Sequence, residues 1–530
     1  MPLTGLGKTP LNVHKIRQLT IHHPCQADIQ LLLENLTNGH SLHYNGPRQF
    51  RQGRNLLSAL EKPSAAYDKV IKEVQLGRIA GPFDNISQTG LTSLIISPIG
   101  LVPKPSGGVR LIHHLSHPWG EGVNAFIDDS QSKVEFASFD QAIRIALSLG
   151  KGALMAKFDV QSAYRLLPVQ ESDFQCLGMS IGDKIFIDKM LPMGAKISAA
   201  HWEAFGHVWE WLVNNAPGFE GQICRYMDDM LCLFHPSLDT TPSILALENV
   251  CSEIGLPLAP EKTVAPATNI TFLGLTINSV SQTIGIPQDK ITRAKEQLAL
   301  LASKKSLKVR QIQSIAGLLN FLCKAIPPGR PFLRRLFDSI KGKPKHAWTN
   351  ISSEIKEDAK VWAEFVDTMS DTTPFPPLTE MANADLQLFT DASLLGYGIV
   401  CGTSWVMEPF PPFKDPQPSM TWRELYPILV ATHVFADKLA NKKIKFVTDN
   451  MGVYHILRSL SSPQQELMDI VRPLVLQCLK INTRLTSQYV PSLENTLADP
   501  LSRLNFQLFK QRAPLADPTP SAIPPHLKLA

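Results

Sequence analysis

The sequence predicts a multidomain chain of α/β and α+β architecture, and three observations predict it. Apolar, strand-like runs end on carboxylates in two separate places, at Asp159 with Asp228-Asp229 and at Asp391 with Asp449. Amphipathic helical stretches alternate with those runs. A basic segment and the proline cluster Pro374-Phe375-Pro376-Pro377 stand between the two places. With 530 residues, 44% of them apolar, the chain can build about three or four cores. Its net charge of +5 says little about partners. Eight cysteines without a C-x-x-C pair argue for reduced thiols rather than a disulfide or zinc framework. Without an 18-residue apolar run or a signal-peptide core, the expectation is an intracellular protein of cytoplasm or nucleus, away from membranes.

Residues 1–64 read as a poorly defined extension, and His22-His23-Pro24-Cys25 lacks a second ligand pair for zinc. Ala65 to Val74 is helical, with Gly81-Pro82 as its stop. Ser97 to Lys104 and Val109 to Ile112 form a hairpin turning at Pro105-Ser106-Gly107-Gly108. Lys104 and Arg110 flank that turn, where both can reach a triphosphate, the arginine as a fork and the lysine as a point charge. His113, His114 and His117 read as packed or solvated histidines rather than a metal cluster.

Ala153 to Ala156 is a buried strand ending on Asp159 in Lys157-Phe158-Asp159-Val160. Later, Ile223-Cys224 and Leu231 to Phe234 lead into and out of Tyr226-Met227-Asp228-Asp229. Two adjacent carboxylates resist ionising together, so a cation belongs there. Carboxylates on neighbouring strand ends can hold two metals about 3.5–4 Å apart, the clamp for in-line phosphoryl transfer. In order and spacing these residues resemble the palm of the reverse-transcriptase family.

That resemblance implies a right-hand polymerase of fingers, palm and thumb, with Asp159, Asp228 and Asp229 as catalytic metal ligands. It implies Mg²⁺ (Mn²⁺ as the alternative), two ions per active site. The 97–112 hairpin resembles the fingers hairpin that closes on the incoming nucleotide. Tyr164, five residues after Asp159, falls where the family carries a steric gate against the 2′-hydroxyl. Leu191 to Ser198 resembles the next motif, with Gly194 allowing close backbone approach; Met193 stands where retroviral enzymes carry Gln. Lys262 matches a lysine near the nucleotide phosphates, and Phe272-Leu273-Gly274 resembles the primer-grip hairpin. His113-His114-Leu115-Ser116 departs from the usual Asp-x-Arg. With Val123-Asn124 it is most similar to the tyrosine-recombinase (DIRS-like) retrotransposon branch.

Thr241-Pro242 opens a helix with apolar residues at Ile244, Leu247, Val250, Cys251 and Ile254, ending at Gly255. Ile312, Ile315, Ala316, Leu319, Leu322 and Cys323 stripe another, broken by Pro327-Pro328-Gly329-Arg330. From Lys304 to His346 eleven Lys/Arg face the single acid Asp338. That excess makes Lys304, Lys305, Lys308 and Arg310 candidates for phosphate contacts along a duplex.

Beyond the prolines a strand reaches Thr390-Asp391 and a hairpin partner runs from Gly396 to Val400. Glu424 lies early in a helix, Asp449 ends the strand Ile444 to Thr448, and Asp499 follows Asn495 at the start of the last helix. Four carboxylates so placed are the ingredients of a second two-metal site, one that activates water. The set Asp391, Glu424, Asp449 and Asp499 resembles the ribonuclease H family in residues and order. No histidine lies between Ser487 and Glu494, where some members carry a helper. His455-Ile456-Leu457-Arg458 mimics a recombinase motif but sits inside this pattern. Neither an aspartic-protease nor an integrase pattern is present.

The expected domains are 1–64 extension, 65–285 fingers and palm, 286–345 thumb, 346–384 connection, 385–508 a ribonuclease H-like mixed-sheet α/β domain, and 509–530 a disordered Pro-rich tail. The resemblance implies partners of RNA template, DNA primer, RNA-DNA hybrid and dNTPs, with the oligomeric state left open. The rival expectation is a domesticated nucleic-acid-binding or hybrid-nuclease protein without polymerase activity.

Overall fold

Two strands that the sequence marks by unbroken apolar runs lie side by side at the centre of the first half. In a computed structural model describing residues 3–104, 107–370, 373–376 and 384–529, Leu154–Asp159 pairs antiparallel with Asp229–Phe234. Val264–Ala267 and Gln222–Tyr226 complete a four-stranded sheet on either side. Met155, Ala156, Phe158 and Met230 to Phe234 are all buried, as strands covered on both faces must be. Phe139–Leu149 packs on this sheet, its first turn capped by Ser138, whose Oγ accepts from Gln141 N at 3.2 Å. Ser198–Asn214 brings the fully buried Trp202, Phe205 and Trp209 to the same core.

The chain divides into one unit of Met1–Leu273 with Ile277–Gln282, and a second of Gly274–Thr276 with Thr283–Ala530. In the first, the residues expected to be a poorly defined extension are ordered core. Helices Val13–Leu19 and Gln26–Asn38 bury Ile16, Ile29, Leu32, Leu33 and Leu36 in the cluster that contains Trp202. Arg51–Gln52 pairs parallel with Ile95–Ile96 at the edge of a five-stranded sheet. The helix Pro63–Gln75 ends at Gly77, with φ at +72°; Gly81-Pro82 lies instead within the strand Ile79–Phe83. Ile99–Pro103 and Val109–His113 form the expected hairpin. Pro105 and Ser106 of its turn lie outside the described residues, as does Pro377 of the proline cluster.

In the second unit, Gln288–Ser303, Val309–Leu322, Arg334–Ile340 and Ser353–Thr368 form a helical group. Ile312, Ile315, Ala316, Leu319 and Leu322 are buried as the stripe requires. The segment expected to be a connection carries secondary structure of its own. Trp348–Asn350 pairs with Ser306–Lys308, and Ser353–Thr368, which packs on Gln288–Ser303, buries Trp362 and Phe365. Thr373–Pro374 pairs with Thr283–Gly285, and Phe375 is buried.

A mixed five-stranded sheet follows, in the order Ser404–Pro409, Gly396–Cys401, Leu386–Ala392, Lys443–Thr448, Arg484–Tyr489. The first three are antiparallel; the last two join parallel. Met420–Val434 and Gln465–Lys480 pack together beside it. Asp499 opens only a short turn, Asp499–Ser502, and Phe506–Arg512 is the last α-helix. The tail is not disordered. Asp517 N and Ser521 N donate to Thr403 O and Trp405 O (2.8 Å each), so the tail runs along the sheet edge. Trp405 Nε1 donates to Asp517 O at 2.8 Å, and Ile523 and Leu527 are buried. Indole and backbone donors at this edge outweigh what a Pro-rich composition predicts.

Candidate active sites

The first site is built by register. Asp229 stands opposite both Asp159 and Tyr226 in the ladder, and Met227, at φ +54°, turns the chain between. Val160 N donates to Asp228 O at 3.0 Å, tying the turn to the end of the neighbouring strand. Three carboxylates therefore share one sheet end. Burial raises the Asp228 carboxyl above its usual range, and Asp159 adds to this, while Lys262 and Arg110 oppose it. Burial lifts Asp229 to about 6, with Lys157 pulling down and the neighbouring aspartates pushing up.

Lys262 Nζ stands 2.6 Å from Asp159 Oδ1, so this lysine lies at the acids themselves. Lys157 Nζ is 3.8 Å from Asp229 Oδ1. That Oδ1 is buried without a hydrogen-bond partner, which suits an oxygen meant for a cation. Lys104 and Arg110 are exposed on the hairpin, and Arg110 acts on Asp228 through its charge.

Tyr164 lies in the short turn Ala163–Leu166, entered through Ser162 and Ala163 at positive φ. Its hydroxyl is 3.9 Å from Met227 Sδ, and burial, with Asp228 next, raises it to about 12. Arg165 anchors the turn, donating to Asp188 at 2.6 and 2.7 Å and to Glu73 at 3.0 and 3.1 Å. Gly194 has φ +142°, and a Cβ there would meet His113 O at 2.0 Å. No other residue fits. His113 is buried, with its imidazole 3.1 Å from Gly178 O, and burial lowers it to about 4. Leu273 and Gly274, at φ +46° and +80°, make the two-residue turn between Asn269–Phe272 and Leu275–Asn278, while Phe272 itself is buried.

Arg225 escaped sequence reasoning. Fully enclosed, it forks onto Glu203 at 2.6 and 3.0 Å and donates to Met227 O at 3.3 Å, holding the turn that bears the aspartates. The signal was there: one arginine directly after the apolar pair Ile223-Cys224 in a buried stretch of strand. Gly206 leaves its room, since a Cβ would lie 2.3 Å from the guanidinium.

In the second site Asp391, Glu424 and Asp449 bring carboxylate oxygens within 4.8 Å of one another. Burial, then the neighbouring acids, raise Glu424 to about 9; burial lifts Asp391 to about 7 against its hydrogen bond from Ser502. Glu424 Oε2 is buried and unpartnered. Asp499 stands outside this trio, with its Oδ1 2.7 Å from Arg503 Nε, though its charge reaches Asp391. Asn495, completely buried, donates to Thr390 O at 2.9 Å and to Asp391 Oδ1 at 3.5 Å. Ser502 and Asn495 thus orient Asp391, a role the sequence did not reveal. An orphaned oxygen within a converging all-carboxylate set fits a hard divalent cation at the second site; at the first, Asp229 Oδ1 is orphaned while Lys262 Nζ stands on Asp159.

Lys304, Lys305, Lys308 and Arg310 are exposed at and just after the end of Gln288–Ser303, with Lys308 Nζ 5.6 Å from the Trp348 ring centre. Arg334 and Arg335 of the same basic segment are paired with Asp338 and Asp358, at 2.8 Å each.

Residues 92–277 match the profile of the family described as reverse transcriptase (RNA-dependent DNA polymerase). This stretch resembles a reverse-transcriptase domain. The chain is 24% identical over 249 residues (47% of its length) to the genome polyprotein of Petunia vein clearing virus. It is 30% identical over 155 residues (29%) to the Gag-Pro-Pol polyprotein of Human T-cell leukemia virus 3. Against the transposon Tf2-3 polyprotein of Schizosaccharomyces pombe it is 21% identical over 295 residues (54%). The matches span only 10%, 10% and 20% of those polyproteins. The foamy viral protease-reverse transcriptase dRH, solved with double-stranded DNA, superposes over 92% of this chain and 84% of its own, with TM-score 0.50 and 17% identity. The fold is that of a polymerase followed by a ribonuclease H-like domain.

Proposed function

We propose that this chain is the RNA-directed DNA polymerase of a retroelement, coupled to a ribonuclease that cuts the RNA strand of RNA-DNA hybrids. The observation that carries it is the register setting Asp159 opposite Asp229, with Asp228 in the same turn. Asp159, Asp228 and Asp229 would hold Mg²⁺ at the first site, and Asp391, Glu424 and Asp449, with Asp499 nearby, at the second. Bound there, the ions would supply charge neutralisation and acidify a primer hydroxyl or a water.

The chain's own residues do the rest. Arg110 and Lys104 bind the triphosphate of a dNTP, and Lys262, beside Asp159, is placed to protonate the departing pyrophosphate. Tyr164 excludes ribose, and the Gly194 loop lets template and nucleotide approach backbone. The 273–274 turn bears on the primer. The DIRS-like lineage rests on His113-His114-Leu115-Ser116 and Val123-Asn124.

Primer extension on an RNA template in Mg²⁺ tests the polymerase. Asp228→Asn should lower it at least 10³-fold while the variant keeps its fold. Hybrid cleavage without any extension by the wild type would favour the rival reading, a hybrid nuclease alone.

A further inference from the structure

The segment after the last helix is built into the fold that carries the second site. Asp517 N donates to Thr403 O and Ser521 N to Trp405 O, so the segment follows the edge strand Ser404–Pro409. Ser404 Oγ accepts from Lys438 Nζ at 2.6 Å and donates to Asp517 Oδ2 at 2.6 Å, and Lys510 Nζ donates to Ala516 O at 2.7 Å. Six residues past Ser521 the chain has reached a helix. There the Tyr426 hydroxyl of Met420–Val434 donates to Leu527 O, and the His526 ring lies 5.5 Å from that of His433. Ile523 and Leu527 are buried on the way. One segment thus ties the sheet edge to that helix.

The same helix brings Glu424 to the acids. Tyr426 and His433 are two turns apart and share a face, whereas Glu424 stands about 200° round the helix from Tyr426. The segment therefore bears on the side away from the carboxylates. On the near side the oxygens of Glu424, Asp391 and Asp449 lie within 4.8 Å of one another. Metal binding needs all three ionised, and three like charges this close push the helix off the sheet. Glu424 Oε2 is buried without a hydrogen-bond partner to relieve this. A brace behind the helix opposes the repulsion. The Tyr426 ring is fixed in place, stacked on Trp422 at 5.0 Å and 8° and edge-on to Tyr397 at 6.0 Å.

We infer that residues 516–529 are a clasp that holds the Glu424 helix to the sheet, with Tyr426 as the positioning residue through which it acts. The clasp keeps the three acids gathered when they are ionised, so it lowers the concentration of Mg²⁺ needed to fill the second site. The inference rests on the ribonuclease reading for what that site does; the bracing of the helix does not depend on it.

Hydrogen exchange of the full chain, followed segment by segment through a Mg²⁺ titration, tests it without recourse to activity. Tyr426→Phe keeps the stacked ring and removes the bond to Leu527 O. It should speed exchange in Met420–Val434 in EDTA. It should also raise about fivefold the Mg²⁺ concentration that half-protects Leu386–Ala392, the size of one net hydrogen bond. Exchange in Leu154–Asp159 should not move. A second protein carries a protease site inserted at Leu515, which is 85% exposed. Cutting there and stripping off the freed segment should shift the midpoint at least as far, and a synthetic 516–530 peptide should bring it back. A wild-type Mg²⁺ midpoint in either protein overturns the inference. Faster exchange spread evenly over the sheet and all its helices, a general loss of stability, overturns it too. Hybrid cleavage by the wild type is read separately: its absence would sink the ribonuclease reading, while the exchange midpoints still decide this one.

Discussion

Tyr164 shows how a residue's neighbours turn a motif position into a testable device. Its hydroxyl lies 3.9 Å from Met227 Sδ, in a turn that the neighbouring Arg165 anchors to Asp188 and Glu73, and the proposed role in sugar selection can be tested there. Tyr164→Val should raise ribonucleotide over deoxyribonucleotide incorporation by 10-fold or more, read as the ratio of kcat/KM values; an unmoved ratio would make it a core tyrosine. The second site yields a pH prediction. Glu424 and Asp391 have folded-state values of about 9 and about 7, both above the ordinary carboxyl range. A raised carboxyl stabilises the fold fully below its unfolded value and loses that stability as pH rises through the folded one. In EDTA, hydrogen exchange in Leu386–Ala392 should therefore speed up between about pH 5 and pH 9 beyond its intrinsic rise. Asp449→Asn should blunt the change, and Mg²⁺ should suppress it. The places of Asp159, Asp229, Asp391 and Asp449 at or beside strand ends were legible, because largely apolar runs lead into or out of each. Arg225 with Glu203, and Asn495 and Ser502 with Asp391, were not, because their partners lie 22, 104 and 111 residues away in sequence.

At the scale of elements, the basic segment is not one uniform stripe. Arg334 and Arg335 spend their charge on Asp338 and Asp358, whereas Lys304, Lys305 and Lys308 are exposed at the junction of two long helices. Replacing those three by Gln should flatten the salt dependence of hybrid binding by about 0.9 for each phosphate left without its lysine, judged by the B-form value. An unaltered slope would place the duplex on another face. Periodicity found the Val309–Leu322 stripe and the aspartate-bearing strands, because burial repeats at the helical or strand period. It could not find order where order comes from distant partners. Residues 1–64 lack a motif, yet their leucines fill the core around Trp202. The tail reads as Pro-rich coil, yet Trp405 and the strand edge hold it. Pro374 sits in a two-residue strand, Thr373–Pro374, at a sheet edge, where a missing N–H costs little.

For the whole molecule, the two carboxylate sets lie in two separately packed units. Each unit has its own buried sheet and its own unsatisfied carboxylate oxygen, and from this the proposed function predicts that each activity can fail alone. Asp228→Asn should abolish extension and spare RNA cleavage, and Asp449→Asn should do the reverse. The sharper outcome comes from mixing the two variants. If each site needs only its own acids, an equimolar mixture should copy an RNA template and then degrade it, each variant supplying one activity at about half the wild-type rate per total chain. Hybrid freed by the first variant would have to be taken up by the second, so cleavage should lag extension, and an unlabelled hybrid trap should lengthen the lag. Wild type carrying both sites on one chain should resist that trap for RNA cut during synthesis. A mixture that extends but never cuts, although Asp228→Asn alone cuts preformed hybrid, would show that cleavage requires the chain that made the hybrid. Loss of both activities in either folded single variant would contradict two autonomous sites.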